Sequence, residues 1–523
     1  MKKFIIFLMV FTLCLTSFTA CSKKDSNTGN SNNTSTAVPD SSASGPLFKQ
    51  PVTLKLMTIS HPTWPYNSEW WIYKALEKAT NVHLDVIPVP QSNYVEKLHL
   101  TMASGDIPDL VFINDNDVRN KYGAAGAFAN ITKNLNEKTM PNLYKLYNES
   151  KENQAWVKRF TSGDGMLYSL PNFEYGDGNR MTWMFREDAF KANNLSIPKT
   201  YDELYKDLKV LKEKNPDSYP FSFRDLYKDG NNNRLNLMAS QWGTGYPYDF
   251  DAKTQTWKFG PEAASFKDLA MWLNKLYKEK LIPTDFLTFS AQQWEEMMSS
   301  GKGMVSVDYT MRIEQFDKAM KPQNPNFELK FMAPPTGTTN GQQKLTFTAI
   351  GNATLVISAA SKKIDAAVKY CDWLYTKEAK DMVSWGKEGE TYKVVDGKRT
   401  WIKPAGSEKD GVEKIYGLGT MGTYLWYDGK TFQVDATPEY IESISETKKY
   451  DAPLTPLAAY NEVEAKMNNT VGQTIITKLN EQITRFIVGQ RDFSEWDSMV
   501  KEMKDLGVDK MLKAMNDSYV RSK

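Results

Sequence analysis

Hydrophobic positions near the start of the folded part of the chain follow two different periods. In three segments, apolar residues recur at every second position or form a continuous run, which is typical of strands. Between these segments, apolar residues recur at every third or fourth position, which is typical of helices. The segments in chain order are strand 52–57, helix 70–78, strand 82–87, helix 94–102 and strand 110–113. This β-α-β-α-β order predicts a mostly parallel sheet with helices packed on its faces.

The same alternation of helix and strand continues through the rest of the chain. Thr200 and Glu203 have the spacing of a helix capping box, and Leu204, Leu208 and Leu211 then share one helical face. The other predicted elements are helix 270–277, strand 304–307, helix 475–486 and a final helix 496–503. Because helices and strands are interleaved throughout, we predict an α/β protein.

The first twenty residues, 1–20, are predicted to be a lipoprotein signal peptide. Lys2 and Lys3 are followed by an apolar run at 4–15, whose length as a helix, about 18 Å, is too short for a bilayer core of roughly 30 Å. Small residues then precede Cys21, which resembles the lipobox of bacterial lipoproteins. We therefore expect cleavage before Cys21, acylation of its thiol with fatty acids such as palmitate, and attachment to the membrane surface. The alternative is an ordinary secreted protein that is cleaved nearby.

Residues 21–50 are predicted to be a lipid-anchored flexible linker. Sixteen of the 24 residues from 22 to 45 are Ser, Asn, Thr or Gly, and none of the 24 is aromatic. A segment of this composition cannot bury enough apolar surface to fold. As a flexible coil it would hold the following domain roughly 25–30 Å from the membrane.

Charge and composition exclude several classes of function. Lys and Arg total 65 against 63 Asp and Glu, and the excess, Lys2 and Lys3, lies in the predicted signal peptide. The remaining chain has no net charge that would attract a polyanion, so we expect no nucleic acid partner. Three His and three Cys show no metal-ligand spacing, and Cys371 stands in an apolar helical pattern that predicts burial. The G-x-G-x-x-G match at 417–422 precedes a strand-like segment, 423–429, instead of a helix, so we expect no metal and no cofactor.

Aromatic residues make up 12% of the chain, and several of the 14 Trp residues stand in predicted loops. Trp64 precedes Pro65 and Tyr66, and Trp242 lies beside glycines. A ring exposed at a strand end can stack on the apolar face of a sugar, while polar side chains bind the hydroxyl groups in its plane. Trp64 and Trp242 are therefore candidate sugar-binding residues. The alternative is that their rings anchor loops to the core.

Five segments of the chain match the motif order of a known family. They are 102–111 (MASGDIPDLV), 126–132 (GAFANIT), 164–171 (DGMLYSLP), 184–203, which begins MFRED and ends IPKTYDE, and 385–392 (WGKEGETY). Over about residues 52–520, this order resembles the large solute-binding lipoproteins of carbohydrate ABC importers, the LplA-like and alginate-binding group of family 1 solute-binding proteins. Each motif is short, so the match is specific to the family and not to a ligand.

The resemblance implies two α/β lobes that are joined by a hinge, with a ligand cleft between them. This is the periplasmic-binding-protein-like (type II) fold. Lobe 1 is predicted at 52–163 plus 346–383, and lobe 2 at 164–345 plus 384–523. Closure about a hinge would bring loops of both lobes onto one sugar without a catalytic group.

The resemblance also implies a set of ligand-binding residues. Asn114 and Asp115 follow a lobe 1 strand, and Asp308 and Tyr309 stand at a strand end. Trp183 and Arg186 belong to the R-x-D element at 186–188 and its surroundings, and Glu388 and Tyr392 belong to segment 385–392, which we call the G-E-G segment.

The chain departs from the family at two places. Many smaller relatives carry a Trp after the strand at Gly303, where this chain has Tyr309, Met311 and Arg312. Some relatives carry a calcium loop after the helix that begins at Thr200. Residues 215–220 (NPDSYP) have too few carboxylates for such a loop, so we expect no calcium there.

These observations predict a monomeric lipoprotein on the extracellular face of the bacterial cell membrane. It would capture an oligosaccharide and deliver it to the permease subunits of an ABC transporter, and no catalytic residue is assigned. Two alternatives stay open: a cell-surface glycoside hydrolase with an Asp/Glu pair, and a peptide-binding lipoprotein. The hydrolase would shorten its ligand, whereas a peptide-binding cleft would contact main chains and terminal charges.

Overall fold

The structure is a computed structural model of the chain. It describes residues 45–114, 116–173, 180–227, 233–337, 341–345, 354–407, 410–434, 436–453, 455–456 and 458–521. The chain divides into two compact units, Met1–Gly45 and Pro46–Lys523. The predicted signal peptide, Cys21, most of the predicted linker and Asp115 lie outside the described residues, so the following account concerns the second unit.

Eleven strands occur in the part of the chain that the structure describes. They are β1 Val52–Ser60, β2 Val82–Pro90, β3 Leu110–Ile113, β4 Met181–Arg186, β5 Tyr248–Asp251, β6 Thr256–Phe259, β7 Val305–Tyr309, β8 Leu329–Met332, β9 Thr354–Ile357, β10 Tyr392–Val395 and β11 Lys398–Trp401. The first sheet has the order β2-β1-β3-β9, in which β1 is parallel to both β2 and β3. The predicted β-α-β-α-β unit is therefore confirmed. Strand β9, which comes from much later in the chain, is added antiparallel to β3.

A second sheet is built differently from the first. Its order is β7-β4-β8, and both of its strand pairs are antiparallel. Two separate antiparallel pairs, β5-β6 and β10-β11, form short hairpins.

Twenty α-helices surround these sheets within the described ranges. They are α1 Trp71–Thr80, α2 Tyr94–Ser104, α3 Asn116–Ala124, α4 Ile131–Asn134, α5 Pro141–Glu149, α6 Lys151–Lys158, α7 Glu187–Ala192, α8 Tyr201–Lys214, α9 Arg234–Gln241, α10 Ala264–Lys278, α11 Ala291–Ser299, α12 Met311–Met320, α13 Ile364–Trp373, α14 Lys377–Trp385, α15 Val412–Tyr416, α16 Pro438–Lys448, α17 Glu462–Met467, α18 Gln473–Ile487, α19 Trp496–Leu506 and α20 Val508–Arg521. Every described helix falls short of the length or the apolar character that crossing a membrane requires.

Helix α8 shows how the sequence pattern produces local structure. The Thr200 hydroxyl accepts a hydrogen bond of 3.1 Å from the backbone N–H of Glu203, as the predicted cap requires. Leu204, Leu208 and Leu211 have no exposed surface, because helical spacing brings them onto one face. Each buried leucine contributes about 1.5–3 kcal/mol to the free energy of unfolding.

Buried apolar side chains form two large clusters, which we call the lobe 1 core and the lobe 2 core. The lobe 1 core contains Leu54, Leu110 and Leu355 from the first sheet. The lobe 2 core contains side chains from the second sheet, among them Trp183 and Val305. The lobe boundaries stay a prediction, and two segments depart from them. Side chains between 167 and 173 and between 412 and 427 pack in the lobe 1 core, although the predicted boundaries assign 164–345 and 384–523 to lobe 2.

The described residues of the two cores alternate along the chain, so the chain passes from one core to the other three times. The first passage lies between Phe173 and Met181, and the second lies between Leu345 and Leu355. The third follows Phe432 and leads into α16, which packs against β8 of the second sheet. Two cores that are joined by three connections agree with the predicted two-lobe architecture.

Two expectations about the second half of the chain are wrong. The helix predicted at 496–503 corresponds to α19, but it is not the final helix, because α19 ends at Leu506, Gly507 follows with a φ of 119°, and α20 begins at Val508. The segment 423–429 is not a strand, and its described pairing is an isolated bridge from Trp426 to Phe173. Glycines with positive φ interrupt the extended backbone just before this segment.

Cys371 follows the expectation from its helical pattern. Its side chain on α13 has no exposed surface and is a free thiol. Burial raises the pKa of this thiol well above its ordinary value, so the group is not ionised at neutral pH. Cys371 is therefore an apolar component of the lobe 1 core.

Candidate functional site

The space between the lobes is bordered by the strand ends where the chain passes from one core to the other. In the first sheet, Thr354 at the start of β9 pairs with Ile113 at the end of β3. In the second sheet, Met181 at the start of β4 pairs with Tyr309 at the end of β7. Met181 and Thr354, the first residues of their strands after a passage between the cores, therefore lie beside the carboxyl ends of β7 and β3. Ligands of α/β sheets bind beyond such carboxyl ends.

The lobe 1 side of this space carries a pair of stacked aromatic rings. His61 and Trp64 follow β1, which is parallel to β3, and their ring centroids lie 3.6 Å apart with planes inclined by 12°. Trp64 is half-buried, and its indole N–H is shielded from solvent without a hydrogen-bond partner among the described residues. Partial burial lowers the pKa of His61 from its ordinary value, so the imidazole is neutral at pH 7. An uncharged aromatic surface of this kind suits stacking against a sugar ring.

Short-range hydrogen bonds fix the loop that carries Trp64. The Ser60 hydroxyl accepts a hydrogen bond of 3.0 Å from the backbone N–H of Tyr66. The Nδ1 atom of His61 accepts one of 3.2 Å from the backbone N–H of Thr63, so the proton of the neutral ring belongs on Nε2. The other predicted residue on this edge, Asn114, directly follows β3 and is exposed.

The lobe 2 side carries a buried ionic cluster at the end of β7. Asp308 has no exposed surface, and Arg224 donates hydrogen bonds of 2.8 and 3.0 Å to its two carboxylate oxygens. Arg234 donates a third of 2.7 Å, and the Nε atom of Arg312 lies 3.5 Å away. Burial by itself would raise the pKa of Asp308, but the positive charges of the three arginines outweigh burial and hold this pKa below its ordinary value. Asp308 is therefore ionised and forms ion pairs with the three arginines.

Tyr309 is the half-buried aromatic residue at this strand end. Its backbone N–H donates a hydrogen bond of 2.8 Å to Asp308. The guanidinium carbons of Arg224 and Arg234 lie 6.0 and 5.8 Å from the centroid of its ring. The ionic cluster thus holds the Tyr309 ring through both its backbone and its face.

Two other predicted ligand-binding residues are enclosed by lobe 2. Trp183 has no exposed surface, its indole N–H donates to Gln241 at 3.1 Å, and its ring stacks on Phe221. Arg186 donates two hydrogen bonds, of 2.8 and 2.6 Å, to the carboxylate of Asp188. In this conformation neither side chain has a free surface for a ligand.

Trp242 is enclosed as well. It follows α9, is 7% exposed and packs against Tyr201 with ring centroids 5.1 Å apart. A Cβ atom at Gly337 would fall 2.3 Å from the Trp242 ring, so the backbone there approaches the indole as closely as only glycine allows. These contacts agree with the loop-anchoring alternative for Trp242.

The G-E-G segment lies beside α1, the element that follows the loop of the aromatic pair. The indole N–H of Trp71 donates a hydrogen bond of 2.7 Å to Glu390. Glu388 is exposed, whereas Tyr392 is half-buried with its ring centroid 4.9 Å from the guanidinium carbon of Arg399. This segment therefore lies beside a helix of lobe 1, although the predicted boundary assigned residues from 384 onward to lobe 2.

Sequence reasoning missed the three arginines around Asp308. Arg224 and Arg234 come from a segment that folds back onto β7 and shares no motif with it. Arg312 carries the one local signal, since it stands four residues after Asp308 at the start of α12. Asp308 was thus found by resemblance, but its charge partners required the folded structure.

From the sequence we expect no metal site and no calcium loop at 215–220. Among the described residues, no group of three or more His, Cys, Asp or Glu side chains is placed to hold a metal ion. In the segment 215–220, the Lys212 ammonium donates hydrogen bonds of 2.7 and 2.6 Å to the carbonyl oxygens of Pro216 and Ser218. Backbone carbonyl oxygens are among the ligands that calcium uses, so a lysine charge takes up groups that could otherwise serve a cation.

Several known proteins are similar to this chain. Lipoprotein LipO of Bacillus subtilis (strain 168) is 26% identical over 86% of this chain and 89% of its own length. The fructooligosaccharide ABC transporter substrate-binding protein FusA of Streptococcus pneumoniae serotype 4 is 29% identical over 73% of this chain and 70% of its own. A solved structure of the alginate-binding protein AlgQ2 without calcium ion has a TM-score of 0.73 and 24% identity, and the match covers 91% of this chain and 99% of AlgQ2.

These findings confirm the predicted recognition and the two-lobe, type II solute-binding fold. Residues 65–381, well over half of the chain, match the family described as bacterial extracellular solute-binding protein. The relatives and the fold are those of binding proteins rather than enzymes, as predicted. The chain belongs to the bacterial extracellular solute-binding proteins.

Proposed function

We propose that the protein is a lipid-anchored binding protein on the extracellular face of the bacterial cell membrane. It captures an oligosaccharide between its two lobes and delivers the intact sugar to the permease subunits of an ABC transporter. The observation that carries this proposal is that each lobe has an aromatic ring at a strand end next to a passage between the cores, Trp64 in lobe 1 and Tyr309 in lobe 2.

The chemistry of the two sides supports a sugar ligand. Trp64 and Tyr309 offer aromatic rings, and Asn114 and Glu388 are exposed polar side chains that can bind hydroxyl groups. Asp115 completes the proposed set from outside the described residues. Asp308 acts in this proposal as a positioning residue, and Tyr392 supports the segment that carries Glu388. Trp183, Arg186 and Trp242 are assigned to the lobe 2 interior.

Similar proteins support the same ligand class. FusA is named as a fructooligosaccharide-binding protein, and AlgQ2 is named as an alginate-binding protein. One of these ligands is neutral and the other is acidic, so the relatives favour an oligosaccharide without selecting its charge. The name of LipO agrees with a lipid anchor, which we assign to Cys21.

The ligand class can be tested by thermal unfolding of the chain from residue 22 onward, which keeps the whole compact unit 46–523. A ligand at one hundred times its dissociation constant adds about 2.7 kcal/mol to the free energy of unfolding, which raises the melting temperature by a few degrees. We expect one class of oligosaccharide to raise it and to be recovered uncut. A rise with peptides alone would favour the peptide-binding alternative, and shortened sugar products would favour a hydrolase.

The anchor has a separate test in the full chain. Cys21→Ser removes the thiol that would be acylated, so we expect loss of palmitate labelling and release of the protein into the medium or its retention as an unprocessed precursor. Cys371→Ser is the matched control, because that thiol is buried in the lobe 1 core and should not affect labelling. Labelling of the Cys21→Ser variant would refute the anchor assignment.

A further inference from the structure

Lobe 1 contains an open pocket. Its volume is about 870 Å³, and it is lined by α5, α14, β11 and the segment 426–434. None of its lining residues belongs to the lobe 2 core. The volume lies within the range of about 300–1,000 Å³ that is typical of pockets for drug-sized ligands.

The lining of this pocket is positively charged, although the predicted mature chain is neutral. It contains six cationic and three acidic side chains, a difference of three charges. The cationic residues are Lys145, Lys377, Lys380, Lys398, Arg399 and Lys430. They come from four separate segments, so the fold concentrates cations that the sequence disperses.

Two of the three acids already have partners. Asp381 forms an ion pair with Lys377 one helical turn away. Asp428 accepts a hydrogen bond of 2.9 Å from the indole N–H of Trp385 and another of 3.1 Å from the backbone N–H of Lys430. These acids are therefore occupied in supporting the walls of the pocket.

Three of the lysines are available to a ligand. Lys145, Lys398 and Lys430 are exposed, and none has an ion-pair partner among the described residues. The remaining acid, Glu149, lies one helical turn after Lys145 on α5 without forming an ion pair with it in the described part of the chain. An anionic group in the pocket could thus be approached by several ammonium groups from different sides.

Aromatic rings lie among these cations. Trp426 is half-buried, and the Lys380 ammonium lies 4.6 Å from its ring centroid. Trp385 is 6% exposed, stacks on Trp401 and has the Arg399 guanidinium 4.5 Å from its centroid. Rings beside amines can contact both the apolar face of a sugar and the acidic groups that it carries.

We propose that this pocket is a second binding site, which takes a short acidic saccharide with carboxylates on its rings. The separated lysines fit several carboxylates along a chain of sugar units better than one compact anion. A single phosphate is often bound by a bidentate arginine, and the one arginine here is held against Trp385.

The site is tested by equilibrium dialysis of the chain from residue 22 onward against digalacturonate, with its dimethyl ester as the uncharged form of the same disaccharide. We expect digalacturonate to bind at low salt, to weaken as salt is added, and to bind at least about tenfold more tightly than the ester. The double variant Lys145→Gln/Lys430→Gln should weaken digalacturonate binding by about tenfold.

The matched control is Lys97→Gln/Lys206→Gln, which removes two exposed lysines outside the pocket and should change the affinity by less than about twofold. Absence of digalacturonate binding, or equal affinity for the ester, would overturn the proposal. Unchanged affinity in Lys145→Gln/Lys430→Gln would show that the acid binds elsewhere, including between the lobes. Displacement by an equal concentration of sulfate would identify a general anion site and would also overturn it. The pocket variants leave capture of a sugar between the lobes intact, so the two proposals can fail independently.

Discussion

Lobe 1 and lobe 2 hold their aromatic residues beside the interlobe space in different ways. Trp64 in lobe 1 rests on the neutral ring of His61, in a loop that is fixed by hydrogen bonds between near neighbours. Tyr309 in lobe 2 lies against arginines that are held by the buried carboxylate of Asp308. The first support is local, whereas the second joins distant segments through buried charges. We therefore expect that removing the Trp64 ring has little effect on the stability of the fold, whereas removing the charge of Asp308 has a large one.

The largest expected effect follows from removing the charge of Asp308. Asp308→Asn would remove the charge of the buried carboxylate that accepts hydrogen bonds from Arg224 and Arg234, and we expect a loss of about 3–5 kcal/mol in the free energy of unfolding. Urea unfolding measures this loss. Asp225→Asn is the control, because Asp225 is a half-buried partner of Arg224, and asparagine tolerates its positive φ of 53°. A loss of similar size in both variants would contradict the special role of Asp308.

A comparable loss of stability is expected from Trp242→Ala. The Trp242 ring fills space between Tyr201 and Gly337, so its removal leaves a cavity and costs about 3–5 kcal/mol. Because the ring is enclosed, the affinity of the folded protein for its sugar should change by less than about twofold. Urea unfolding and calorimetric titration at a temperature where the variant is folded measure the two quantities. Weaker sugar binding with an unchanged free energy of unfolding would instead indicate that Trp242 contacts the sugar.

Trp64→Ala should have the opposite effects, weakening sugar binding more than it lowers stability. We expect sugar affinity to weaken by about 1–3 kcal/mol if the half-buried ring contacts the ligand. Stability should fall by less than Trp242→Ala causes, because the loop keeps its hydrogen bonds from Tyr66 and Thr63. The measurement is calorimetric titration with the oligosaccharide that raises the melting temperature. Unchanged sugar affinity would show that Trp64 does not contact the ligand, and Trp64 and Tyr309 could then not be compared as ligand-binding rings.

The sequence predicts the lobe 1 side better than the lobe 2 side for a physical reason. Strands of a parallel unit have local periodicity, and the residues that follow them, such as Trp64 and Asn114, are found by their position alone. The environment of Asp308 depends on arginines that are brought to it by the fold of lobe 2. Spacing rules contain no information about such long-range pairs.

Aromatic residues show a second limit of prediction from sequence. Trp64 and Trp242 both stand beside turn-forming residues, and their local patterns do not distinguish them. Trp242 becomes buried because Gly337, almost a hundred residues later, allows the backbone to lie against its ring. Whether a loop tryptophan contacts a ligand or the core therefore depends on tertiary packing. The same holds for Trp183 on strand β4, which is fully buried.

The smallest expected effect concerns the charge of His61. Its pKa is lowered by burial in the folded state, so the unfolded chain binds this proton more readily. The contribution of the neutral ring is present above the ordinary value of 6.5 and is lost as the pH falls below it. The melting temperature of the wild type relative to His61→Gln should therefore fall between pH 7 and pH 5, and the comparison cancels the titration of all other groups. A relative rise over the same range would mean that the Trp64 ring stabilises the imidazolium as a cation–π pair, and the lobe 1 side would then depend on charge as the lobe 2 side does.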